Sequence, residues 1–359
     1  MHGGLVKTQV MMVWQWLSLV SLLALSLALQ TAIADGLSEG VYTAAEHDHR
    51  PPPKYPSQLE RSGKPGAVAV SYMIDEAGKT YDVKVLRSTH VGFEKSAVEV
   101  VEQYTFSPAL LAGQPVRSRK NSVVYYEMAG VDRTKLSAEF QRHYRYLIGA
   151  MEKGETSDKK FKKRFERGYN AVRSPCDYIY YYLAQSHYYQ TKQYDDRQIT
   201  ALRHLKLYEA DVDKDGWCLT PKMHTSTTLD LVALLYIHSD VGGATAEFER
   251  LVNRRLIEVD QFLLPELKQV VDNPARLLPT QRKITVGGRG FHVIELFANR
   301  FSVSRFTNDV DQLKLECDTG EQVLDPEVES HRIEAPLSGC QLVVRAKPGT
   351  QFQFAEMSD

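Results

Sequence analysis

Apolar residues alternate from Ala67 to Ile74, with Val68, Val70, Tyr72 and Ile74 on one face, the period of a half-buried strand. Tyr81–Leu86 repeats the alternation through Val83 and Val85. The Asp75–Gly78 turn between them makes a hairpin, with the glycine free to take a positive φ. From Phe93 to Tyr104 the spacing changes to three and four, through Phe93, Ala97, Val100, Val101 and Tyr104, which predicts an amphipathic helix. A last strand, Ser122–Met128, sets Val124 and Tyr126 on one face and Val123 and Tyr125 on the other. Ahead of these lie the rigid lead Pro51, Pro52, Pro53, Tyr55, Pro56 and a short helix signal at Ser57–Ser62. The expected unit is helix–strand–strand–helix–strand: one sheet with helices covering one side.

Beyond Lys135 the period becomes helical. Leu136, Phe140, Tyr144, Leu147 and Met151 form one stripe, and Phe161, Phe165, Tyr169 and Val172 a second. Ser174-Pro175 opens a further helix with a capping serine and a first-turn proline. That helix and its partner, Tyr194–Tyr208, resemble a degenerate tetratricopeptide-type hairpin, with Ala184 and Ala201 small enough for close approach. Helical signals continue at Ser226–His238, with Leu229, Val232, Ala233 and Tyr236 as the inner face, then at Ala244–Phe262 and Leu263–Val271. From Lys283 strands return: Phe291–Leu296, Arg300–Phe306, Gln312–Cys317, Gln341–Ala346 and Phe352–Ala355. Their turn spacing fits a small antiparallel β-sandwich. The class is α+β. The expected division is a signal at 1–34, a linker at 35–50, a small mixed domain at 51–130, a helical domain at 135–278 and a β-rich domain at 283–357.

The N-terminus places the protein. Val10–Leu29 is nearly all apolar, and Ala32-x-Ala34 offers a small-residue cleavage site. An uncleaved anchor is the alternative, because the run is close to spanning length; either way the remainder is expected in the periplasm. A net charge of −1 argues against nucleic acid as a bulk partner. The four cysteines allow three connectivities. Cys176 with Cys218 and Cys317 with Cys340 is the pairing that keeps each bridge inside one region. Disulfides suit an oxidising compartment, and with no Cys-x-x-Cys a zinc site is not expected.

Catalytic patterns are thin. The chain has no Gly-x-Ser-x-Gly nucleophile setting, no His-Glu-x-x-His and no phosphate loop, so no enzyme, cofactor or metal is expected. Glu46-His47-Asp48-His49 could hold only a weak, adventitious metal and reads as a soluble hinge. Asp211, Asp213, Asp215 and Gly216 imitate a calcium loop, but Lys222 stands where its bidentate carboxylate belongs. The basic run Lys159–Arg164 reads as the wet side of a helix. His187 and His204 read as packing residues.

One resemblance carries a functional expectation. Tyr55-Pro56, Gly63-x-x-Gly66-x-Val68-x-Val70, Asp75-x-x-Gly78, Asp82-Val83-x-Val85-Leu86-x-Ser88, Phe93-x-x-x-Ala97, Tyr104-Thr105-Phe106-Ser107-Pro108-Ala109 and Gly113-x-Pro115-Val116 follow in order. This series resembles the C-terminal domain of the TonB family of energy-transducing proteins. The resemblance implies a non-enzymatic domain that binds envelope proteins, among them the plug segment of outer-membrane transporters, by adding strands at an open sheet edge. The residues it points to are Tyr55, Pro56, Val123, Val124, Tyr125 and Tyr126, and self-association through the same edge is a further expectation. The linker reaches only roughly 55 Å at about 3.5 Å per residue, and the domain is followed by more than half the chain. A periplasmic adaptor is therefore expected ahead of an anchored energy transducer or an envelope scaffold.

Overall fold

The computed structural model describes residues 41–155, 157–211, 218–253, 281–335 and 337–357. The expected signal, the calcium-like loop beyond Asp211 and the helical signals past Asn253 lie outside the described residues. Two compact units divide the chain, residues 1–43 with 110–115 and residues 44–109 with 116–359. In the first, strand β1 (Tyr42–Thr43) pairs with Leu110 and Leu111.

The second unit opens on β2 (Glu46–His49), within the stretch read as a linker. After α1 (Ser57–Arg61) come the hairpin strands β3 (Gly66–Ile74) and β4 (Thr80–Ser88), then α2 (Glu94–Val101). β5 (Thr105–Ser107) follows; the chain then runs through β6 (Ala109–Leu111) and β7 (Gln114–Val116), whose residues 110–115 belong to the first unit, to the long β8 (Ser118–Tyr126). β3 is central, flanked antiparallel by β4 and β8, and β2 pairs with β5. Val68, Val70, Tyr72, Ile74, Val124 and Tyr126 face α2 and bury Phe93, Ala97, Val101 and Phe106. Two glycines are needed here. A Cβ on Gly66 would stand 2.2 Å from the Phe93 ring, and one on Gly78, at φ +78°, would stand 1.8 Å from the Phe106 carbonyl oxygen.

The sheet's other face is covered too, where the sequence pattern gave cover on one side only. All nine residues of β3 are buried. Three of the four residues on that second face, Ala67, Ala69 and Ser71, are small, and small side chains admit close neighbours. Ala67 and Ala69 share a core with α3 (Ala138–Glu152), α4 (Asp158–Asn170), α5 (Pro175–Thr191) and the turn 206–211 after α6 (Asp195–Leu205). Ser174 and Asp177 form a full capping box on α5, and Ala184 and Ala201 are buried. α7 (Pro221–Ile237) and α8 (Val241–Asn253) complete the helices described. The buried residues of α7 are His224, Thr227, Thr228, Leu231, Val232 and Leu235; Val232 was expected there, while Leu229 and Tyr236 pack at the border of that core. The Thr227 and Thr228 hydroxyls donate back to the His224 carbonyl, which lets them sit inside.

The C-terminal strands are β9 (Arg282–Thr285), β10 (Phe291–Glu295), β11 (Arg300–Ser304), β12 (Val310–Cys317), β13 (Gly320–Leu324), β14 (Ser330–Arg332), β15 (Gln341–Ala346) and β16 (Gln351–Met357). They form two four-stranded antiparallel sheets, β10-β15-β12-β13 and β14-β11-β16-β9, whose apolar residues meet in one core. The disulfides are Cys176–Cys218 and Cys317–Cys340.

This strand-rich region meets the three-stranded sheet through charge rather than oil. Lys84, on β4, donates to Glu316 of β12 at 2.8 Å, and both are buried. Lys314 reaches Asp82, Glu316 and Glu321, and Arg345 reaches Asp82. Gln341 ties Glu316 to Ser71 at 2.9 and 3.0 Å. Asp82 stands at φ +50°, where the β3–β4 register shifts, so the backbone irregularity aims its carboxylate at two cations. Burial opposes ionisation of Asp82, but Lys314 and Lys84 win and hold its carboxyl well below the usual range.

Candidate functional site

β8 has a strand on one side only, among the described residues. Its register with β3 runs unbroken from Gly66↔Tyr126 to Ile74↔Ser118. The carbonyl of Ala67 accepts from Thr89 N–H, so Ala67 turns its backbone toward β4. Backbone direction alternates along a strand. Gly66, Val68, Val70, Tyr72 and Ile74 therefore bond to β8, and the groups of β8 aimed away are those of Arg119, Asn121, Val123 and Tyr125. The Val123 carbonyl accepts from the Arg50 guanidinium at 3.2 Å on this outer edge, which agrees with that phase. Asn121, midway along the edge, is exposed.

The residues expected to bind fall on both sides of this line. Tyr126 is buried on the α2 side, its hydroxyl donating to the Phe93 carbonyl, and Val124 is buried beside it. Tyr55 packs edge-on against Phe93 and Tyr126 and donates to the Lys64 carbonyl at 2.6 Å. Pro56 accepts the first backbone bonds of α1. Tyr125 faces the helices, donating to the Leu207 carbonyl and lying 5.9 Å from the Tyr208 ring. Val123, partly buried, has both an outward backbone and a side chain on the second face. Of the histidines singled out, His47 packs on Phe106 at 4.2 Å, His187 is exposed, and His204 stacks on Tyr182. Among the described residues no group of three His, Cys, Asp or Glu side chains could hold a metal ion.

A cavity of about 900 Å³ opens beside β8, walled by its outer residues, by the second face at Ala69 and Leu86, by α6–α8 and by β9–β10. Eight lysines and arginines line it against three carboxylates. Those carboxylates are already engaged: Asp240 by Arg203 at 2.9 Å and Arg282 at 3.0 Å, Glu247 by Arg250 at 2.7 Å, and Glu295 by Arg119 at 3.1 Å. Arg87 has no hydrogen bond at Nε and no carboxylate within ion-pair distance among the described residues. Burial, with the charge of Arg203 added, pulls its guanidinium down to about 10. Burial also lowers Lys120, whose ammonium rests on the Ala45 carbonyl at 2.7 Å and over the Phe106 ring. His292, in the same wall, is lowered to about 4 by burial and by Arg282.

These cations escaped the sequence reading because they come from residues 50 to 289, on strands, helices and a turn. One signal was present: the run of small residues Ala67, Ala69 and Ser71 on a strand face marks a surface that something else approaches.

Residues 51–128 match the family model described as Gram-negative bacterial TonB protein C-terminal. Among solved structures, the solution NMR structure of the Pseudomonas aeruginosa TonB C-terminal domain is similar at 20% identity, covering 25% of this chain and 92% of that chain, with a TM-score of 0.23. No curated protein matches the chain. The family model supports a TonB C-terminal type of domain for residues 51–128. Among the described residues no helix is long and apolar enough to cross a membrane.

Proposed function

We propose that this protein is a non-catalytic adaptor of the periplasm that binds envelope polypeptides by strand addition along β8. The observation that supports it is the outward backbone of Arg119, Asn121, Val123 and Tyr125 on a strand with one neighbour. Main-chain hydrogen bonds at such an edge supply affinity, and flanking pockets supply choice. The match of residues 51–128 to the TonB C-terminal model makes the plug segments of outer-membrane transporters the first partners to test. In this reading Tyr55, Pro56, Val124 and Tyr126 shape the strand from behind, while Val123 and Tyr125 border the bound segment.

Proline distinguishes the edge from the ladder. At position 121 it removes an outward N–H and leaves the β3 pairing intact. On an array of overlapping peptides from transporter plug segments, the full chain is expected to bind a subset. Asn121→Pro loses that binding, whereas Asn121→Ala retains it. Equal binding by the two variants would refute strand addition.

A further inference from the structure

We infer that the segment received at β8 is acidic, its carboxylates neutralising Arg50, Lys120 and Arg87. This inference rests on strand addition at that edge and names the chemistry of the partner. Three lining cations have no carboxylate within ion-pair distance among the described residues, and they are grouped around β8. Arg50 caps the Val123 carbonyl and touches the Tyr104 hydroxyl at 3.3 Å. Lys120 sits on β8 itself. Arg87 shares a cross-strand row with Ala69 and Val123, so all three side chains project from the same face.

The dimensions suit an added strand. Neighbouring strands lie about 4.8 Å apart, which puts a strand beyond β8 about 14 Å from the backbone of Arg87. An extended arginine, an extended glutamate and the contact between them span about that distance. Ala69 and Val123 lie between the two in that row, and both line the cavity. Side chains of the incoming strand alternate in direction: those on one face approach Arg87, and those on the other approach Arg50 and Lys120. Arg50 must leave the Val123 carbonyl for a backbone N–H to take its place, and the freed guanidinium then pairs with the incoming carboxylate. The three acids of the cavity are held by Arg203, Arg282, Arg250 and Arg119, so they do not satisfy the remaining cations. A cluster of cations without counter-charges selects against basic and for acidic ligands.

The probes are the acetylated, amidated heptapeptides Glu-Val-Glu-Val-Glu-Val-Glu and Gln-Val-Gln-Val-Gln-Val-Gln, titrated into the full chain by fluorescence anisotropy. The acidic peptide is expected to bind at least tenfold more tightly, with the difference shrinking as salt rises. Arg87→Gln should cut the ratio at least threefold. Lys120→Gln, on β8 itself, is the second charge variant should Arg87→Gln fold poorly. Asn121→Pro should abolish binding of both peptides. Equal affinities for the two peptides, both lost in Asn121→Pro, would overturn the acidic preference and leave strand addition standing. Absence of binding by either peptide, or binding of the acidic one that survives Asn121→Pro, would overturn the inference together with the edge it depends on.

Discussion

At the scale of single residues, ion pairs hidden from water decide most. Glu316 is fully buried between Lys84, Lys314 and Gln341. Removing one member of such a set leaves its partner charged and dry. Glu316→Gln is therefore expected to cost about 3 kcal/mol in urea unfolding, and adding Lys84→Met should recover part of it. The sequence pattern could not expose this: Lys84 lies between Val83 and Val85, where alternation alone reads as a water-facing position, and a charged interface has the same period as a wet one. His292 gives a pH test. Its folded value near 4 lies below the ordinary 6.5, so the unfolded chain binds the extra proton first. Its contribution is complete above pH 6.5 and is lost as the pH falls toward 4, about 3 kcal/mol in all. Arg282, Arg203 and Asp240 face it. Thermal melts from pH 7.5 to 4.5 should fall steeply for the native protein and less steeply for His292→Gln. Equal slopes would refute the assignment.

Elements were more legible than contacts. The β3–β4 hairpin, the Ser122–Tyr126 part of β8 and the capped start of α5 follow from local signals, because strand period, turn glycine and serine–proline caps act over a few residues; β8 starts four residues before the expected Ser122 and ends before Met128. The segment before Pro51 was less readable. Glu46–His49 looks polar and hinge-like, yet it pairs with Thr105–Ser107, and Asp48 accepts from the Ser107 hydroxyl; long-range pairing leaves no periodic trace in four residues. On α7 the pattern marks Val232 but not the buried Thr227 and Thr228, since hydroxyls bonded to their own helix pass for surface residues. Gly66 shows how tightly one element can depend on another. Its missing side chain makes room for Phe93, so Gly66→Ala is expected to destabilise by about 1–3 kcal/mol. Phe93→Leu in the same chain should lessen that loss if the ring is the obstacle. Denaturant midpoints of the two single variants and the double variant form the cycle that checks it.

At the scale of the whole molecule, the small domain is not free-standing. One face of its sheet is shared between the helices and the C-terminal strands. Ala67 and Ala69 enter the helical core, with Leu86, Val123 and Tyr125 packed on its border; Ser71 and Lys84 enter the charged network. No periodicity in residues 51–128 can say which later segment covers that face, because the partners lie up to 270 positions away, as Gln341 does from Ser71. Cutting the chain after Met128 would expose this apolar row and leave Lys84 without Glu316. Exposed patches of that kind drive association. The excised fragment 51–128 is therefore expected to bind a hydrophobic dye and to self-associate, while the chain from residue 41 onward stays monomeric under the same conditions. Size-exclusion chromatography with dye fluorescence reads both. A fragment that is monomeric and dye-silent would mean that the covered face is dispensable. The later regions would then be passengers rather than the second wall of the cavity beside β8.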